Sequence, residues 1–349
     1  MHALVALLPV LLFLATLMVL DSFKLVHVTA VLTTLAAGAL AAFSCYVLQI
    51  ELADLGLESA MLTRYVGPLT EETAKAVFVI YLVRLGRVGF LVDAAIQGFA
   101  VGTGFAVVEN VLYLREMGDA PLSLWLVRGL GTAILHGATT AIFAIVSKTL
   151  RDRRHDRGWL IFVPGWITAF GVHSAFNHLP LPAVLMTGLL MIVMPLLVLV
   201  VFERSERATR DWVGAGLDLD FEMLQLIQSE HFGSTRFSSY LQALRERFPG
   251  PVVADMFCLL RVELEVAIQA KAMLLARQAG VEVPVDDDLR ASLEEIAYLN
   301  RTIGPTGRLA LEPLQVTTHR DEWHRHLLRQ ARAQRKRSCS WFSFVGRGL

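Results

Sequence analysis

Only three cysteines occur in the 349 residues, Cys45, Cys258 and Cys339, and they lie far apart. This excludes a disulfide framework and the paired spacings of a structural zinc site. An excess of charge of one sign is also missing, since 32 basic residues offset 32 acidic ones. A global field that would attract nucleic acid is therefore excluded. The sequence has no Walker loop, no zinc-finger spacing and no HExxH motif. Met1 to Leu20 lack the basic n-region of a cleaved signal peptide, and further apolar segments follow, so this stretch reads as a retained first span.

What is present is apolar sequence. Hydrophobic residues make up 54% of the chain and charged residues 18%, with a mean hydropathy of +0.52. The charges are unevenly spread: residues 1–202 are nearly continuous apolar blocks, and residues 203–349 are charge-rich. At about 20 apolar residues per span, seven spans are expected, at about 3–20, 27–50, 66–85, 90–114, 129–149, 159–178 and 181–202. The fold expected is an all-α, polytopic membrane helix bundle with a C-terminal helical cytosolic domain over 203–328. Helical spacing runs through Phe221–His231, Tyr240–Phe248, Val252–Ala279 and Leu289–Asn300. Breaks are expected at Pro249-Gly250-Pro251, at Gly280 with Pro284, and at Gly304-Pro305. Residues 329–349 form a basic, then aromatic, tail.

Seven alternating spans put three basic clusters on one side: Arg84 with Arg87; Lys148, Arg151, Arg153, Arg154 and Arg157; and Arg204, Arg207 and Arg210. The positive-inside rule makes that side cytoplasmic. The expected topology is an integral protein of the cell membrane, N-terminus outside and C-terminal domain inside.

Against this background Glu71, Glu72 and Lys75 are anomalous, because they sit inside an apolar segment. A charged side chain at the centre of a membrane helix costs about 2.5–3.5 kcal/mol on insertion scales. Later spans carry Glu109, His136, and His173 with Asn177. At 1.5 Å of rise per residue, Glu71 and Glu72 lie roughly 8 Å and His136 roughly 10 Å below the outer boundary. Glu109 and His173 fall at a similar depth, so four helices deliver polar residues to one layer. Glu71 and Lys75 are i,i+4 neighbours and able to pair. Two adjacent carboxylates in poorly solvated surroundings do not both ionise cheaply, so one is poised to exchange a proton with water. Asp93 reads as a cap, His178 as interfacial, and Gly98, Gly102 and Gly104 as packing residues.

The motif set resembles that of the PrsW family of intramembrane proteases. Glu71-Glu72-Thr-Ala-Lys75 is similar to its EExxK motif and Phe105-Ala-Val-Val-Glu109-Asn110 to its FxxxEN motif. His136, and His173 with Asn177 as HxxxN, resemble the third and fourth. More distantly the pattern is similar to the CAAX-protease and bacteriocin-processing superfamily, whose second motif has histidine where this chain has Glu109. The resemblance covers about residues 60–180 and implies hydrolysis of a membrane-anchored protein substrate, an anti-sigma factor among the candidates, near the outer face. In that reading Glu71 is the general base and Glu72 tunes it. His173 and Asn177 stabilise the oxyanion, and Glu109 and His136 complete the site. Two forms of the chemistry stay open: Glu72, Glu109, His136 and His173 hold a divalent metal such as Zn²⁺, or glutamate and histidine activate water unaided. Two other classes also stay open, a proton-coupled transporter and a catalytically inactive membrane scaffold.

Overall fold

A computed structural model describes residues 1–21, 23, 26–153, 158–178, 181–281 and 287–314. The tail at 329–349, the last stretch of the expected cytosolic domain, and Arg154 and Arg157 lie outside the described residues. No strand occurs among those described.

The membrane part is built from α1 (His2–Leu20), α2 (Val28–Asp54), α3 (Gly67–Arg84), α4 (Leu91–Glu116), α5 (Ala133–Arg153), α6 (Val163–Asn177) and α7 (Ala183–Gln228). Two π-helical turns interrupt it, Leu62–Val66 before α3 and Val127–Thr132 before α5. Among the described residues, six helices are long and apolar enough to cross a membrane. The expected third span, α3, is not among them, because Glu71, Glu72, Lys75 and Arg84 interrupt its 18 residues. Its burial explains how it can still sit in the bundle. Lys75 is 0% exposed, whereas Val77 on another face is 63% exposed. Charge turned inward with apolar side chains turned outward is the inverse of a soluble amphipathic helix. It suits a helix with lipid on one side and polar partners on the other.

The central helix is α4, buried continuously from Val92 to Ala106. Its glycines allow neighbours to approach backbone to backbone. A Cβ on Gly102 would lie 2.1 Å from the carbonyl oxygen of His136, on α5. A Cβ on Gly104 would lie 2.0 Å from the carbonyl oxygen of Leu35, on α2. The glycine stripe expected to serve packing thus clamps α4 between two helices. Since Gly102→Ala drives a side chain into backbone, it is expected to destabilise the bundle by about 2 kcal/mol or more. The measurement is the unfolding midpoint in mixed micelles; an unchanged midpoint would contradict so close an approach.

Two compact units divide between Arg207 and Ala208, within α7. The second contains α8 (Arg236–Leu244), α9 (Gly250–Gln278) and α10 (Asp287–Leu311). Its core joins Leu241, Met256, Leu259, Val266, Leu293 and Ile296. The helix expected at Phe221–His231 is, as far as Gln228, the end of α7, which runs on through Gly214 and Gly216; Glu230–Ser234 follows as a 3₁₀ turn. The break expected at Gly304-Pro305 is present as a kink, with Gly304 at φ 67°. A buried pair, Lys271 Nζ to Asp220 Oδ2 at 2.6 Å, lies within this unit.

Candidate active site

Glu71, Glu72 and Lys75 come from the first half of α3, which continues directly from the π-helical turn, and Pro68 has no N–H to offer the carbonyls of that turn. The ion pair differs from the i,i+4 pairing expected of Glu71. Lys75 Nζ bonds Glu72 Oε1 at 2.6 Å, three residues back. Glu72 Oε1 also accepts from Thr139 at 3.0 Å and faces His173 Nδ1 at 2.7 Å. The same Nζ faces His136 Nδ1 at 3.1 Å. Tertiary partners on α5 and α6, invisible in the local spacing, decide which glutamate takes the lysine.

Glu109 on α4 faces His136 Nε2 at 2.8 Å, and Arg128 Nη2 lies 3.2 Å from its other oxygen. Arg128 leaves the π-helical turn before α5, donates to Asn110 Oδ1 at 3.0 Å and stacks on Tyr113. Asn110 in turn donates to the carbonyl of Ala6 at 2.8 Å. The asparagine after Glu109 therefore ties α4 to α1 and braces the arginine.

These contacts fix both imidazoles. A nitrogen against a carboxylate carries the proton, so His173 donates through Nδ1 to Glu72 and His136 through Nε2 to Glu109. The opposite nitrogens carry lone pairs, that of His136 Nδ1 accepting from Lys75 Nζ. His173 Nε2 lies 3.8 Å and His136 Nδ1 4.0 Å from Glu71 Oε2. The rings meet edge to face with centroids 4.9 Å apart. Glu71 Oε1 accepts from Gln49 Nε2 at 2.9 Å, while Oε2 is buried and has no hydrogen-bond partner among the described residues.

Charge counting singles out the same atom. Three carboxylates, Glu71, Glu72 and Glu109, stand against two cations, Lys75 and Arg128. With neutral histidines, one negative charge is left over, and Glu71 is the carboxylate without a cationic partner. Buried uncompensated charge is costly, so the cluster is suited to a positive guest. Glu71, His136 and His173 offer donor atoms within 4.8 Å of one another, a mixed oxygen and nitrogen set of the kind that holds zinc. The residues present fit a divalent metal. Glu72 and Glu109, also expected among its ligands, lie against the far nitrogens of the two histidines, the kind of contact that fixes ligand tautomers in metal sites.

Asn177 stands apart from this centre. Its Nδ2 donates to the carbonyl of Thr63 at 3.0 Å, and Ser174 donates to that of Arg64 at 2.7 Å. Both acceptors lie in the first π-helical turn, whose altered bonding frees carbonyls for side chains. His178 packs against Tyr65, and Asp93 accepts from the Gly89 N–H beside the start of α4. A cavity of about 430 Å³ opens onto the cluster, lined among others by Gln49, Glu71, Glu109, Thr132, His173 and Asn177.

Sequence reasoning missed Gln49, Arg128 and Thr139. Arg128 carried a signal, a basic residue two turns before His136 and just ahead of the span expected at 129–149. Gln49 and Thr139 carried none, being ordinary polar residues near or within apolar helices.

No curated protein and no solved structure matches the chain. A family model for PrsW family intramembrane metalloproteases matches residues 22–202, more than half of its 349 residues. With the four motifs gathered around one cavity among membrane-length helices, the chain belongs to the PrsW family of intramembrane metalloproteases.

Proposed function

We propose that this protein hydrolyses a peptide bond of a membrane-anchored protein near the outer face of the membrane, with water activated at Glu71. The observation that carries the reading is the Oε2 atom of Glu71, buried, without a hydrogen-bond partner among the described residues, and facing His173 Nε2 and His136 Nδ1, the second of which also meets Lys75. An anti-sigma factor is the substrate class that the family resemblance implies. The basic clusters support an outside N-terminus and a cytoplasmic C-terminal region, which puts the polar layer in the outer half of the bilayer.

Glu71 accepts a proton from water as the water oxygen attacks the scissile carbonyl. It then delivers that proton to the departing nitrogen. An ionised carboxylate has about four lone-pair sites, and Gln49 occupies one of them. Glu71 can therefore serve a cation and a proton at different sites. The metal would be held by Glu71 Oε2, His136 Nδ1 and His173 Nε2, replacing the bond from Lys75 to His136. When bound, Zn²⁺ supplies Lewis-acid polarisation of the carbonyl. With His173 Nε2 unprotonated, direct oxyanion contact falls to Asn177, whose amide keeps one N–H beyond that given to Thr63.

The test uses the purified protein in proteoliposomes with a fluorescence-quenched transmembrane peptide. Cleavage should stop on chelation and return with Zn²⁺. Cleavage indifferent to chelator would remove the metal from the reading. Absence of cleavage, together with proton-coupled flux across the same vesicles, would favour a carrier instead.

A further inference from the structure

The four motifs do not account for how the carboxylate of Glu71 is aimed. That task falls to α2, which carries none of them. Ala42, Cys45 and Gln49 share one face of α2, at i, i+3 and i+7. The helix is fixed at Gly38, where a Cβ would lie 1.9 Å from the carbonyl oxygen of Val101. About three turns further along, Gln49 reaches Glu71 Oε1 at 2.9 Å. Gly67, one turn before Glu71, lies beside this bond. A Cβ there would lie 3.6 Å from both Gln49 Nε2 and Glu71 Oε1 and 2.9 Å from the Leu62 carbonyl oxygen.

We propose that Gln49 is a positioning residue for Glu71: by holding Oε1 it presents Oε2, singly, to His136 and His173 as the third donor of the cation site. A neutral amide suits this task. A lysine or arginine at the same place would neutralise the one carboxylate whose charge is uncompensated, and so weaken the attraction for a cation. A hydrocarbon side chain would leave the carboxylate free to rotate between Gln49's place and the histidines. The proposal rests on the donor set given above for the proposed function.

The experiment is a Co²⁺ titration of the full-length protein in nanodiscs, followed by ligand-field absorption. Wild type, Gln49→Leu, Glu71→Gln and Tyr46→Phe are compared. Tyr46 is the control for α2 itself, because its hydroxyl donates to Glu116 Oε1 at 3.1 Å from the same helix without touching Glu71. Loss of an outer partner of a metal ligand lowers affinity roughly 10–100-fold, and this is expected of Gln49→Leu. Glu71→Gln should weaken binding further, and Tyr46→Phe should leave it unchanged. Wild-type affinity in Gln49→Leu alongside weakened Glu71→Gln overturns the role of Gln49 and leaves the donor set standing. Equal weakening in Gln49→Leu and Tyr46→Phe assigns the effect to the anchoring of α2 and also overturns the role. No Co²⁺ binding by wild type, or full binding by Glu71→Gln, overturns the donor set and the role of Gln49 together.

Discussion

Replacing Glu71 by glutamine should lower kcat/KM by roughly 10²–10⁴-fold, the contribution of a positioned general base, while the protein remains folded. The substitution keeps the volume and removes one charge. That charge is the surplus one: with Glu71 neutral, Glu72 and Glu109 stand against Lys75 and Arg128, two against two. No buried cation loses its partner, so the unfolding midpoint should hold or rise. Loss of activity with retained stability is the signature of a group kept for chemistry at some expense to the fold. The measurement pairs turnover of the transmembrane peptide with the midpoint in mixed micelles. Turnover within a few-fold of wild type would remove Glu71 from the reaction.

The bundle and its polar layer were legible because a membrane makes charge conspicuous. Twenty-residue apolar runs mark spans, and a glutamate within one must have a partner. The depth argument brought Glu71, Glu109, His136 and His173 to one level, and these residues do converge. Finer assignments were not legible, because they depend on which side chain reaches which atom. Helical spacing allows Lys75 to pair with Glu71 or with Glu72, and the choice is made by Thr139 and His173 from other helices. Asn177 shares a helix face with His173, yet its amide reaches the carbonyl of Thr63, an acceptor that a π-helical turn supplies and no apolar pattern announces. Gln49 lies outside every motif, and no pattern along α2 announces its bond to Glu71 on another helix. The same limit applies to α3: composition marks it as the poorest span, whereas its packing turns the charges inward.

Glu72→Gln should behave in the opposite way to Glu71→Gln, with stability lost first. Glu72 is the anion for Lys75, which is 0% exposed and has only His136 Nδ1 and the Phe105 ring as further partners among the contacts described. Breaking a buried pair from one side costs about 3–5 kcal/mol, a large share of the roughly 5–15 kcal/mol that stabilises a typical fold. Lys75→Met alone should cost less, because the carboxylate left behind still accepts from Thr139 and His173. The double variant Glu72→Gln/Lys75→Met removes both charges and should recover most of the loss, giving a coupling energy that a double-mutant cycle reads directly. Activity should not recover with it. A glutamine holds the Nδ1 proton of His173 less strongly than a carboxylate does, and weakening such an orienting partner costs roughly 10–100-fold in affinity or activity. A double variant as unstable as Glu72→Gln would mean that Lys75 is satisfied without Glu72. A double variant that is both stable and fully active would mean that the pair serves the bundle alone, and that His173 needs no carboxylate behind it.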